Sequence, residues 1–135
     1  MLNAIINAIH KAFPNHKIYI ENVEQGLKTP CFFISEISAQ GNRVLGNRHQ
    51  RICQFMVQFL PNEKNSYADC STMLHNLLIL LVDVGIYHAV KLNGEIVDNV
   101  LNFEVVYQEF IDITNYDIED MNDYKHNING VNVNG

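Results

Sequence analysis

The chain has 135 residues, 47% of them hydrophobic and 18% charged, with a formal net charge of −6 and a pI near 5.4. That length supports one domain with a real core and leaves no room for separate catalytic and cofactor modules. The acidic balance argues against a protein that neutralises nucleic-acid phosphates, and 18 asparagines carry surface polarity that charged residues usually supply.

Leu2, Ile5, Ile6, Ile9 and Phe13 recur at steps of three and four, which predicts an amphipathic helix ended by Pro14 and Asn15. The segment lacks the basic start and small-residue cleavage site of a signal peptide. Lys17 to Val23 alternates as a half-buried strand, with a break at Gln25, Gly26 and Lys28 to Pro30. In the following strand, CFFISEIS, Cys31, Phe33, Ser35 and Ile37 share one face, and Phe32, Ile34, Glu36 and Ser38 share the other. Its first half is apolar on both faces, which places Phe32 and Ile34 inside the sheet or under a neighbouring subunit.

Arg43 to Leu60 reads as one long strand with Gly46 as a bulge and Pro61 as its stop. Cys53, Phe55, Val57 and Phe59 line one face. A loop at Asn62 to Ser66 leads to the strongest helical pattern, Ala68 to Val84, with Gly85 in the place of a C-terminal cap. Tyr87 to Val97 and Val100 to Ile113 read as an antiparallel pair, turning at Asp98-Asn99 or at Asn93-Gly94. The sum over residues 1–113 is a single α+β domain, a mostly antiparallel sheet packed against two main helices. Residues 114–135 are acidic and asparagine-rich, and read as a flexible tail.

Cys31, Cys53 and Cys70 match neither a zinc motif nor a disulfide framework; Cys31 and Cys53, inside apolar runs, read as buried thiols, and the odd unpaired set as that of a protein folded in a reducing cytoplasm. The longest apolar run, Leu77 to Val82, is too short to span a bilayer. The six histidines form no metal-binding spacing, and the seven glycines form no phosphate cradle. Ser71 or Cys70 with His75 is the nearest approach to a nucleophile and base, but no oxyanion loop accompanies either pairing. The expectation is therefore of no catalytic, metal or cofactor site. The cluster that stands out is basic: Arg43, Arg48, His49 and Arg51, either a solvated strand end or the complement of acidic surface on a partner or another copy.

Two segments, ENVEQGLKTPCFFI (Glu21 to Ile34) and LGNRHQRICQFMVQFLP (Leu45 to Pro61), are similar to segments of the tail terminator family of Gram-positive prophages and phage-tail-like particles. The resemblance rests on Glu24-Gln25-Gly26, the Pro30-Cys31-Phe32-Phe33 step, Asn47-Arg48 with Arg51, and Phe59-Leu60-Pro61. EIVDNVLNFEVVYQEF (Glu95 to Phe110) resembles the family's closing hairpin. The resemblance implies a structural protein without cofactor: a hexameric ring at the head-proximal end of a tail tube. Such a ring stops tube growth, meets sheath or head-tail connector, and passes DNA through its lumen without reading its sequence. It also implies a place in a virion or tail-like particle assembled in the bacterial cytoplasm. Arg43, Arg48, His49, Arg51, Phe32 and Ile34 are the candidate interface residues. The competing classes are a small ligand-binding or regulatory domain, which needs a pocket with convergent polar groups, and an enzyme using Cys70 or His75.

Overall fold

The computed structural model describes residues 1–20, 28–64 and 66–113, so the acidic tail expected over 114–135 lies outside the described residues. Helix α1 (Leu2–Ala12) buries Leu2, Ile5, Ile6 and Ile9, the stripe set by their spacing. It ends at Phe13, because a residue preceding proline is pushed out of helical geometry, and His10 and Lys11 in its last turn face the negative end of the helix dipole. The remaining elements are β1 (Lys17–Tyr19), β2 (Cys31–Leu45), β3 (Arg48–Leu60), α2 (Ser66–Leu80), β4 (Asp83–Val84), β5 (Tyr87–Val97) and β6 (Val100–Asp112). All six strands join one sheet in the order β1-β2-β3-β6-β5-β4. Every pairing is antiparallel except β1 with β2. The fold is α+β.

Two glycines do a different job from the one their sequence context suggests. Arg43 to Leu60 is not a single strand: Leu45 pairs with Arg48 across a two-residue turn, and Gly46 sits at φ +58°. A left-handed first turn residue matches the twist of the strands it joins, so glycine there makes a hairpin where a bulge was expected. Helix α2 stops at Leu80, short of Val84, and Gly85 (φ +59°) is not its cap. It turns β4 into β5 through the Val84–Tyr87 pair. Asp98 and Asn99 both have positive φ and link Val97 to Val100, which settles the turn between β5 and β6 in favour of Asp98-Asn99.

Both helices cover one face of the sheet. Across the register, that face carries Phe32, Ile34, Cys53, Phe55, Val57, Phe59, Leu101, Phe103, Val105 and Tyr107, all buried, with α1 and α2 residues in the same cluster. Gly94 lies on this face opposite Phe103. A Cβ at Gly94 would meet Leu74 Cδ1 of α2 well inside van der Waals contact and Phe103 Cδ2 at 3.0 Å. Half-buried Leu74 can swing away, but fully buried Phe103 cannot. Gly94→Ala should therefore destabilise the fold by about 1–3 kcal/mol through overpacking. A urea midpoint equal to that of the unaltered chain would show that α2 lifts without cost.

Among the described residues no helix lies over the opposite face, which is rich in amides. Gln58 Nε2 donates to Asn102 Oδ1 at 2.8 Å, Asn42 Nδ2 to Gln50 Oε1 at 3.4 Å, and Ser38 Oγ to Gln54 Oε1 at 3.4 Å. Neutral side chains bonded across strands let a broad sheet face meet water with few charges, which accounts for the low charged fraction of the chain.

Candidate functional site

The β2–β3 hairpin and the end of β6 run on past the helices. Beyond Cys53 and Tyr107 the helix-side positions stop being apolar core, and the register aligns Gly41, Arg51 and Glu109, then Arg43, His49 and Ile111. The result is a three-stranded blade, and it carries the whole basic cluster. Its members serve different ends. Arg51 makes an ion pair with Glu109, its cross-strand partner, and both side chains are mostly buried (27% and 17% exposed). The Arg48 guanidinium lies 4.8 Å from the centre of the Phe110 ring, a cation–π contact on the open face. His49 is half-buried between Arg43 and Ile111. Arg43 is exposed and makes no hydrogen bond or ion pair with the described residues.

Phe32 and Ile34 correct the expected interface. Both are fully buried in the core of their own chain, where Phe32 packs on Phe59 at 5.2 Å between ring centres and within 6 Å of Phe13 and His16. They anchor the base of the hairpin and leave no surface for a neighbour. The doubly apolar start of β2 reflects burial within the chain itself, with Tyr19 of β1 stacked on Phe33 at 5.4 Å on the other face.

The three cysteines and Tyr107 lie in the core. Cys31, Cys53 and Cys70 are buried free thiols, and burial pushes each up from its ordinary value, away from the nucleophilic thiolate. Cys70 Sγ donates to the Asn99 carbonyl at 3.4 Å, which ties α2 to the β5–β6 turn. Tyr107 donates its hydroxyl to the Leu81 carbonyl at 2.7 Å, satisfying a backbone group where the chain leaves α2, and burial raises the Tyr107 pKa. Among the described residues no three His, Cys, Asp or Glu side chains gather as metal ligands, and no helix is long and apolar enough to cross a membrane. A cleft of about 390 Å³ between α1 and β1 is lined by Ile6, Asn7, His10, Pro14, Asn15, His16, Lys17 and Ile18. Among the described residues it sets no carboxylate, thiol or hydroxyl side chain beside its two histidines.

His16 makes that region sensitive to acid. Its ring lies 5.5–5.9 Å from those of Phe13, Phe32 and Phe59, and burial lowers its pKa below the ordinary 6.5. In the unfolded chain His16 takes up its proton first as pH falls, so its contribution to stability is full above pH 6.5 and declines below it. The loss of melting temperature between pH 7.5 and pH 5 should be smaller in His16→Gln than in the unaltered chain. Equal losses would remove His16 as the cause.

No curated protein matches the chain at significant similarity. The family model described as phage tail terminator protein matches residues 1–121, nearly the whole chain. The match takes in every described element, including the blade, and runs eight residues past the domain boundary expected at Ile113. The chain belongs to the phage tail terminator family, and its role is structural, within a phage tail.

Proposed function

We propose that this protein forms a closed ring, hexameric in the completed tail, at the head-proximal end of the tail tube. There it ends tube polymerisation and offers its far face to the head-tail connector or to the last sheath layer. The observation that carries this reading is the family match over residues 1–121. The blade supports it physically: a projection of three hydrogen-bonded strands, with Arg43 and Arg48 exposed beside Val44 and Leu45 near its tip, offers another ring a shaped surface to meet. A terminator needs no chemistry, because the tube beneath is itself a stack of rings, and a ring that fits it on one face and not on the other halts growth. The protein therefore belongs in the virion or tail-like particle, assembled in the bacterial cytoplasm, with its own copies, the tube protein, and connector or sheath as partners. Of the basic cluster, Arg43 and Arg48 are the exposed members that no carboxylate among the described residues pairs, so they are the ones with a charge to offer a partner.

Deleting the gene should give tubes of irregular, excess length or tails that fail to join heads, measured by electron microscopy of purified particles. Adding back the gene should restore uniform length. Tails of normal length and full activity in the deletion strain would sink the assignment.

A further inference from the structure

Among the described residues, seven of the eleven exposed large hydrophobic side chains fall into two groups on opposite sides of the sheet, and Tyr67, Val97, Phe110 and Ile113 lie outside both. On one side lie Ile37, Val44 and Leu45, all on β2, whose outer side from Ser35 to Leu45 has no neighbouring strand among the described residues. On the other side lie Ile79 at the end of α2, Val82 behind it, Ile86 in the β4–β5 turn and Val90 on β5. The Ala89 amide bonds to the Val82 carbonyl at 2.8 Å, and Asp83 pairs with His88, so these side chains belong to one corner. Leu45 and Ile86 are each 80% exposed, and Ile79 is 79% exposed, so the described residues do not cover them.

The sheet's irregularities point the same way. Its three register shifts fall at Ile37, Val44 and Val90, one bulge residue each. A bulge on an edge strand blocks the addition of a further strand, and an edge that needs only protection carries lysine or another charge there. All three bulges here carry a β-branched apolar side chain instead. These edges refuse strand pairing while presenting side chains, as contact through side chains requires.

The two patches also stand at the same height. Val90 lies between Ala89 and Lys91, which lead across the sheet through Tyr107 and Val106 to Cys53 and Gln54, and from there to Ala39 and Ser38, next to Ile37. Ile86 lies beyond His88 toward the blade end, as Val44 and Leu45 lie beyond Gln40. Copies set side by side in one orientation bring the two patches together without sliding along the strands. Arg43 on β2 flanks the first patch, and Asp83 on β4, hydrogen-bonded to His88 Nδ1 at 2.6 Å but still 63% exposed, flanks the second.

We infer that copies of this chain join head to tail, the Ile37–Val44–Leu45 edge of one seated on the Ile79–Val82–Ile86–Val90 corner of the next. Two unlike patches on opposite sides of one subunit make a heterologous contact, the kind that closes into a ring when the rotation between copies permits. The inference rests on the ring reading proposed above and names the surfaces that would build it.

Two variants test it, Leu45→Asp and Ile86→Asp, each altering a side chain that the monomer leaves in water, with native mass and circular dichroism as readouts. The unaltered chain should form a species of several times 15.5 kDa. Each variant alone should be a folded monomer, because it keeps only one half of the contact. Mixed in equal amounts they should give a dimer, since one keeps the β2 edge and the other the corner. Variants that assemble like the unaltered chain, a variant that dimerises with itself, a mixture that stays monomeric, or an unaltered chain that is monomeric at its highest soluble concentration would each overturn the contact. The outcomes remain separable from those of the gene deletion. Overgrown tails with a monomeric mixture reject the contact and keep the terminator, whereas normal tails with a mixed dimer reject the terminator and keep the contact.

Discussion

Replacing Phe55 by alanine should cost about 3–5 kcal/mol, a large share of the 5–15 kcal/mol that typically holds a domain together. Phe55 is fully buried at the middle of β3, a central strand between β2 and β6, where its register partners are Glu36 and Val105. Its ring centre stands 6.2 Å from that of Tyr107, which in turn bonds to the carbonyl of Leu81. Removing the ring opens a void between strands fixed on both sides by hydrogen bonds, so little can collapse into it. It also takes away a wall of the Tyr107 site that ties the sheet to the end of α2. Gln54→Ala, one residue away on the open face, should stay within about 1 kcal/mol, since it loses one exposed hydrogen bond to Ser38. Urea unfolding of both variants measures the contrast. A Phe55→Ala cost below about 1 kcal/mol would mean that the helices do not close over the centre of the sheet.

The parts of this fold legible in the sequence are those where one side-chain period runs without interruption. Ile5, Ile6 and Ile9 marked the buried stripe of α1, and Phe55, Val57 and Phe59 marked the buried face of β3, because both patterns are set by burial against one surface. The misreadings sit at glycines. Gly46 and Gly85 both follow an apolar run and both occupy left-handed turns, yet a bulge, a helix cap and a two-residue hairpin ask for the same residue. What separates them is pairing with a distant strand, which no local pattern carries. Helix α2 was extended too far for a related reason: Leu81, Val82 and Val84 continue its apolar spacing, while Val82 and Asp83 already bond to β5.

The candidate site was legible in its location and not in its partners. Arg43, Arg48, His49 and Arg51 do share the tip of one hairpin, but the residues that engage them, Glu109 and Phe110, lie some sixty positions away on β6. Phe32 and Ile34 looked available to a neighbour because a strand apolar on both faces needs two covers, and the chain itself supplies both. The exposed corner of Ile79, Val82, Ile86 and Val90 escaped sequence reading altogether. Its members belong to a helix, the link after it, a turn and a strand, so no single side-chain period joins them.

Arg51→Glu should destabilise the chain itself, by about 1–3 kcal/mol, although in the sequence Arg51 reads as a candidate interface residue. Arg51 and Glu109 are side by side on neighbouring strands with both side chains mostly out of solvent, so the substitution sets two carboxylates against each other at the base of the blade. The cost should exceed that of a surface pair, whose partners can turn into water, and fall short of that of a fully buried pair, because a quarter of the arginine still meets solvent. Exchanging the charges by Arg51→Glu with Glu109→Arg should recover much of the loss, as the pair is restored in reverse. Arg43→Glu, in contrast, should leave the melting temperature within about 2 °C, since exposed substitutions away from any contact rarely exceed about 0.5 kcal/mol. Any effect of Arg43→Glu should appear in assembly and fade as salt rises toward 1 M, where screening reaches about 3 Å. Thermal melts of the four chains separate the roles. If Arg51→Glu melts with the unaltered chain, the blade does not depend on its internal ion pair, and Arg51 returns to the surface available to a partner.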